Sequence, residues 1–492
     1  MKKSSVIGVL LLSGFLLAGL FTQLEVLPWH PQITQAAVSS HAPAGLQATD
    51  AYTVYVPLIA AWYDPTYVNP FGVTMYGSIN DNAGLQIVAD AGARWATTSL
   101  SWAAIEPTPG EYNWSSFDVS VQNAQAAGVE LFVLIRENPE WAAPLPGGPV
   151  EDLQDLVNFA TALAERYDGD GIDDAPGSPI VNYWSFYAEP DNGDYERALA
   201  GKGYWGHNGA GYAEMLSHVA SAMHAANPDA QILIGGLAYD YFEEDGGPFV
   251  RSFLDDALTA LNNYPGGATQ YIDAIAFHFY PVANDRWPTI REKTAEIQSI
   301  MNAHNVGNLP LICPEMGYWS SPRFGSSLDN QANRLVQMFT RALSMDMQPL
   351  MWYKVYDAAI PESADDVNPD RTAGLLDVEG DPKPAYYAFQ TMTTELRGAH
   401  YLRELNLSGI EGYVFRLPTG REVTVLWATK ITNDATTVTF PYTCVRRVET
   451  TGTEYSPIYD GDPHWDWDGA GNGRITLGIH EENRPIYVMP CP

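Results

Sequence analysis

Val181-Asn182-Tyr183-Trp184-Ser185-Phe186-Tyr187-Ala188-Glu189-Pro190-Asp191 is an apolar run that ends in a carboxylate before a proline. Short apolar runs bounded by turn residues read as strands buried on both faces, and Pro190 takes the chain out of the ladder. A second apolar run closes in the same way, in Cys313-Pro314-Glu315-Met316-Gly317. Six further runs of this kind lie at 71–76, 95–102, 130–135, 231–235, 272–279 and 349–355. Helical patterns separate them, at 83–91, 117–127, 152–166, 212–226, 249–261, 289–303, 332–344 and 384–396. Eight strand–helix units at about 40 residues each have the spacing of a (β/α)8 (TIM) barrel with long loops. A doubly wound open sheet is the alternative, but no Gly-rich phosphate turn supports it. The barrel is expected over residues 67–397.

Beyond residue 398 the texture changes to short alternating runs separated by turn residues, at 413–417, 422–427, 436–440, 445–450, 474–477 and 485–489. They predict a small antiparallel β-domain over 398–492, following the barrel without a flexible linker. It is a structural buttress or a sugar-binding module. At the other end, Lys2 and Lys3 precede an apolar run at 6–22, and Ala36-Ala37 offers a cleavage site. Residues 1–37 therefore read as a signal peptide or an uncleaved N-terminal anchor, and the chain as secreted or extracytoplasmic. Residues 38–66 read as a linker and an entry strand.

The chain has 492 residues, 26 basic and 59 acidic, with a net charge of -33. Hydrophobic residues make up 46%, which excludes a disordered chain. The acidic balance argues against nucleic acid and against anionic lipid, so no membrane contact is expected beyond the N-terminal segment. Aromatics reach 12%. They fill cores, and they also serve as platforms for the C–H faces of sugars. Among three cysteines, Cys313 sits in a strand as a buried small hydrophobe. Cys444 and Cys491 form a disulfide in an exported protein or remain two free thiols.

Barrel chemistry sits where strands end. Glu189 ends strand four, Glu315 strand seven, and His278-Phe279-Tyr280-Pro281 strand six; strand eight carries Trp352. Two carboxylates across a barrel mouth suit glycosidic cleavage, one protonated to donate to the leaving oxygen and one ionised to attack the anomeric carbon. Glu106 and Glu137 also lie near strand ends and read as structural carboxylates, with Glu137 beside Arg136 as an alternative cleft residue. His278 reads as a core histidine or as a cleft residue. Asp168-Gly169-Asp170-Gly171-Ile172-Asp173-Asp174 resembles the start of a calcium loop but lacks its last Glu. It precedes strand four, so a calcium on Asp168 and Asp170 would be structural and on the barrel's far face; a solvated acidic turn is the alternative. Residues 460–468 form a weaker acidic stretch. No zinc spacing and no Gly-x-Ser-x-Gly elbow occurs, and no cofactor is required.

Several stretches together resemble the retaining (β/α)8 glycoside hydrolases of clan A, most of all family 39. They are Trp102-Ala103-Ala104-Ile105-Glu106-Pro107, Pro139-Glu140-Trp141-Ala142, Tyr183 to Asp191, Ile275 to Pro281, Pro314 to Gly317, and Lys383-Pro384-Ala385-Tyr386-Tyr387-Ala388. The resemblance implies a carbohydrate substrate, Glu189 as acid/base and Glu315 as nucleophile. Tyr280 would hydrogen-bond the nucleophile, with His278 beside it. Trp352 would floor the sugar site, and Trp102, Trp141, Trp319 and Arg136 are further substrate-binding candidates. Two positions depart from the family pattern. Ala188 stands where an Asn precedes the acid/base, and Thr97 where an Arg is usual on strand two. Arg94 and Arg136 are the nearby substitutes. The departures point to an altered substrate contact, to low activity or to a non-catalytic carbohydrate-binding barrel. A transglycosylase would use the same two Glu residues.

Overall fold

The computed structural model describes residues 69–281, 286–359, 368–431 and 435–492. The expected leader, linker and entry strand lie outside the described residues. Among the described residues no helix is long and apolar enough to cross a membrane.

Eight parallel strands close into a barrel in which each pairs with its neighbours in sequence. They are β1 (Phe71–Thr74), β2 (Trp95–Ser101), β3 (Glu130–Arg136), β4 (Tyr183–Phe186), β5 (Gln231–Leu237), β6 (Ala274–Phe279), β7 (Leu311–Met316) and β8 (Leu350–Trp352), and β1 pairs with β8 to close the ring. The expected (β/α)8 architecture is thus the observed one. Trp95, Phe132, Leu233, Ala276, Ile312 and Met351 pack inside the lower barrel as a separate core, the filled interior that closure of eight strands demands. Gly72 is required there, because a Cβ on it would lie 2.6 Å from the Cβ of Trp95.

The intervening helices are α1 (Leu85–Asp90), α2 (Trp102–Ile105), α3 (Ser115–Ala126), α4 (Leu153–Arg166), α5 (Tyr195–Leu199), α6 (Gly209–Ala226), α7 (Phe253–Leu261), α8 (Ile290–Ala303), α9 (Leu328–Leu343) and α10 (Pro384–Glu395). Helices α3, α4, α7 and α8 each bury a single stripe, whereas α9 buries every residue from Leu335 to Leu343. In α7 the buried positions are Phe253, Leu254, Ala257, Leu258 and Leu261, the i, i+4, i+8 pattern of a helix lying on a sheet. Local chemistry sets their ends. Asp152 accepts from the backbone N–H of Gln154 to start α4. Thr289 and Glu292 form a capping box on α8. Pro384 opens α10 with its φ already helical. Two short helices, α2 and α5, carry too few residues for their periodicity to be read.

The C-terminal region is an antiparallel β-domain, as expected. Its six-stranded sheet contains β9 (His400–Glu404), β10 (Ile410–Arg416), β11 (Glu422–Ala428), β13 (Cys444–Glu449), β14 (Ile458–Tyr459) and β16 (Ile486–Pro490). The small sheet pairs β12 (Thr436–Phe440) with β15 (Ile475–Ile479). Edge strands β9 and β14 escaped the pattern reading, β9 because it exposes polar residues and β14 because it has two residues. Period-two alternation splits the large sheet. Leu426, Ala428, Val445, Ile486 and Val488 face the small sheet. Tyr413, Phe415, Val423, Val425, Trp427 and Tyr487 join the core of the barrel. Arg341 of α9 makes a two-pronged ion pair with Glu411 at 2.7 and 2.8 Å and lies over the Trp427 ring. Arg446 of β13 makes another with Glu395 of α10 at 2.7 and 2.8 Å. Cys444 and Cys491 form a disulfide, with Cα atoms 5.5 Å apart, so the paired alternative holds. Cys313 is a buried free thiol whose pKa burial pushes up to about 12.

Candidate active site

The C-terminal ends of the strands surround a cavity of about 1020 Å³. Glu189 and Glu315 line it with His278, Tyr280, Tyr76 and Tyr353. All three central groups are nearly sealed, with Glu189 9%, Glu315 6% and His278 4% exposed. Strand register brings them together. His278 pairs with Glu315 across β6 and β7. Its imidazole then reaches both carboxylates, with Nδ1 3.4 Å from Glu189 Oε1 and Nε2 3.9 Å from Glu315 Oε2. Gly236 makes room for that ring. It sits at φ +52°, and a Cβ there would lie 2.8 Å from His278 Nε2.

Glu315 is held by two phenols. The hydroxyls of Tyr76, just past β1, and of Tyr280 each donate to one of its oxygens. Burial and the Glu315 charge raise both phenol pKa values far above the ordinary, so both stay protonated as donors. The strand end is pinned as well. Thr97 and Thr74 donate to the carbonyl of Pro314 at 2.8 and 3.0 Å. Thr97 therefore positions the nucleophile candidate from below, which an Arg there could not do in the same way.

Glu189 lives in a different setting. Burial alone would raise its pKa, but Lys202, His278 and Arg197 outweigh burial and hold it far below the usual carboxylate range. Arg197 Nη2 lies 2.6 Å and Lys202 Nζ 3.2 Å from its Oε2. Both cations come from the loop after β4. Asp194 caps α5 and so places Arg197, and the backbone N–H of Gly203 ties the loop back to the carbonyl of Ala188 at 2.6 Å. Tyr187 and Glu189 both have positive φ, 64° and 51°. Such strain in non-glycine residues persists only where the surroundings over-determine it, and it clusters at functional sites. Asp191 supplies the clamp. Almost fully buried, it accepts from the backbone N–H groups of Ala238 and Tyr239 at 3.0 and 2.8 Å, tying the end of β4 to the end of β5. Desolvation, against those two hydrogen bonds, raises its pKa to about 7.

Several expected binders are elsewhere. Trp352 and Trp102 are 0% exposed, so neither can floor or wall a sugar site. The Trp352 indole points into the protein and donates to the Ala373 carbonyl at 2.9 Å; its neighbour Tyr353 reaches the cavity instead. Trp102 packs on Trp141 and Phe159 and donates to Glu106 at 2.6 Å. Trp141 donates to the Glu106 carbonyl, and Trp319 stacks on Tyr318 and donates to the Phe324 carbonyl. None of the four lines the cavity. Indoles that follow strand ends face the helix layer as readily as the mouth, and sequence position does not separate the two. Arg136 does line the cavity, paired with Glu137. Arg94 lies at the other end of β2, bonded to the carbonyls of Ala89 and Ala93, out of reach. Glu106 is structural, as expected, accepting from Trp102 and from the backbone of Gly110. Asp168, Asp170 and Asp174 converge to within 4.8 Å in the turn before β4, away from the cleft; they accept from the backbone N–H groups of Asp170, Ile172 and Gly171.

No protein-family model matches the sequence, and no curated protein matches it. Solved structures do. A family 39 glycoside hydrolase from the gut symbiont Bacteroides cellulosilyticus WH2 is 20% identical, with a TM-score of 0.62 over 87% of this chain and 81% of that one. A family 39 β-xylosidase from Caulobacter crescentus is 14% identical, with a TM-score of 0.56 over 86% of this chain and 97% of that one. The chain shares its fold with these enzymes. A family 30 endoxylanase from Clostridium papyrosolvens C71 has the same architecture at 12% identity, with a TM-score of 0.57 over 87% of this chain.

Proposed function

We propose that this chain is an exported, retaining β-glycosidase acting on an oligo- or polysaccharide. The observation that carries the reading is the pair Glu189 and Glu315, bridged by one imidazole at the mouth of a closed barrel. Glu315, fixed by two phenol donors, attacks the anomeric carbon. Glu189, carrying a proton in the substrate complex, passes it to the leaving oxygen. In the second step Glu189 takes a proton from water, and that water displaces Glu315 from the anomeric carbon, restoring the starting configuration. Tyr76 and Tyr280 hold Glu315 in line throughout. Tyr353 and Tyr241 offer the ring surface for sugar C–H faces, in place of the indoles.

One observation favours a non-catalytic carbohydrate-binding barrel. Arg197 and Lys202 hold Glu189 ionised in the free protein, and Ala188 offers no side-chain hydrogen bond to the sugar. For hydrolysis, the substrate must displace or neutralise these cations so that Glu189 can carry its proton.

The deciding experiment is reducing-sugar release from β-linked polysaccharides and aryl glycosides, xylosides first, by wild type beside Glu315→Gln. Turnover by wild type that falls by a factor of about 100 or more in the variant establishes the glycosidase and its nucleophile. Equal glycan binding by both proteins without turnover supports the binding barrel. Products longer than the substrate would show transfer to a sugar acceptor.

A further inference from the structure

The acidic stretch 460–468 finds no use in the cleft, yet it builds an ordered feature on the β-domain. It joins β14 to β15 and carries Trp465 and Trp467, exposed to 49% and 51%. Side chains of four aspartates set its shape. Asp462 accepts from the backbone N–H groups of His464 and Trp465 at 2.8 and 3.1 Å. Buried Asp466 accepts from Gly461 and Thr476 at 2.8 and 2.9 Å. Asp460 accepts from Asn472 and Gly473, and Asp468 from Ala470. The two indoles are thus presented in fixed positions. Trp465 leans on Tyr455 at 5.3 Å between ring centroids, and Trp467 on His480 at 5.3 Å. Gly478 is the bed for Trp467, since a Cβ there would lie 2.6 Å from its ring.

Between the indoles and the sheet lies a cavity of about 280 Å³. Its wall also carries the charged Arg447, Glu449, Glu481 and Arg484, beside Ile458, Ile479 and Ile486. These charges are paired among themselves. Arg447 lies 2.8 Å from Glu449, and Arg484 lies 2.8 Å from Glu481 and 3.6 Å from Glu449. A wall of matched charges selects neither an anion nor a cation. It offers donors and acceptors to a neutral polyol, while the indoles offer flat apolar faces. Half-exposing two indoles forgoes on the order of 25 cal/mol per Å² of burial, and rigid aromatic anchors lose little entropy when a ligand arrives.

We propose that Trp465 and Trp467 on the β-domain form a second, non-catalytic site for a neutral glycan chain. Its pyranose faces lie on the two indoles and its hydroxyls meet the Arg447–Glu449 and Arg484–Glu481 pairs. The site is separate from the cleft and does not depend on the cleft being catalytic.

The test is affinity electrophoresis of the full chain in native gels containing arabinoxylan, mixed-linkage β-glucan, hydroxyethylcellulose or glucomannan. At least one glycan is expected to retard the wild type and Glu315→Gln alike. Trp465→Ala and Trp467→Ala should each weaken that retardation at least fivefold with Tm unchanged, and Trp465→Phe, which keeps a ring, should restore most of it. Retardation that is equal in the Ala variants, or absent with all four glycans, overturns the proposal. So does concentration-dependent self-association that the Ala variants abolish, because the face would then belong to a second copy of the chain.

Discussion

Two side chains on one carboxylate decide how the cleft titrates. Lys202 and Arg197 stabilise ionised Glu189, while donation to a leaving oxygen needs the neutral form. In the proposed mechanism, the alkaline limb of kcat/KM follows loss of that proton. Lys202→Met removes a cation that favours the ionised form, so the limb should move to higher pH, by about one unit; a pH–rate profile that stays put would remove Lys202 from the argument. Gly236 offers a second test. Gly236→Ala pushes a methyl into His278 and must hold alanine at φ +52°. Activity should fall at least tenfold while stability drops by only about 1 kcal/mol, read by kinetics and denaturant unfolding. Asp191 gives a pH signature of its own. Its folded pKa of about 7 is raised, so the folded state holds the proton more tightly than the unfolded chain. Its contribution to stability is full below the unfolded value of about 3.9 and is lost as pH rises to about 7. Asp191→Asn should be less stable overall, having lost one acceptor for two backbone N–H groups, but its Tm should change less between pH 4.5 and 7.5 than that of wild type. Glu189 runs the other way. Held low, it stabilises fully above about pH 4.3 and loses that contribution only as pH falls toward its folded value.

Among elements, the β-domain is welded to the barrel rather than tethered. Trp427 and Tyr413 of its sheet belong to the barrel's own core, and Arg341 and Arg446 reach carboxylates across the junction. Arg341→Met keeps the stem but leaves partly buried Glu411 without its ion pair, with the Tyr413 hydroxyl still donating to it, which should cost about 1–2 kcal/mol in denaturant unfolding. The disulfide acts at the other side of the same domain. It closes a loop of 47 residues and ties the end of the chain to β13. Cys491→Ser should lower stability by about 2–4 kcal/mol, and a reducing agent should shift the Tm of wild type but not that of the variant. Apart from the short helices α2 and α5, element types were legible along the barrel, because a strand buried on both faces and an amphipathic helix carry distinct periods. Boundaries shifted by a few residues, most visibly at β7, which runs on through Pro314 and Glu315 to Met316. Its pairing partners, β6 and β8, carry the ladder past the proline, and a single strand's sequence does not contain them.

Over the whole molecule, a net charge of -33 means self-repulsion across the surface. Salt screens that repulsion over about 10 Å at 0.1 M and about 3 Å at 1 M. Tm is therefore expected to hold or rise from 0.1 to 1 M NaCl, and a fall of several degrees would show that attractive ion pairs outweigh the repulsion. Sequence by itself determined the barrel, the β-domain and the strand ends that carry Glu189, Glu315, His278 and Tyr280. These follow from local periodicity and from the rule that a parallel barrel opens its chemistry at one end. Only the closed structure decided which side chains meet there. Tyr76 reaches Glu315 across 239 residues because β1 returns beside β8. Arg197 and Lys202 reach Glu189 because a capped one-turn helix folds their loop over it. The four tryptophans turned the other way, since the face an indole takes at a strand end depends on the helix layer packed behind it, and no local pattern records that layer.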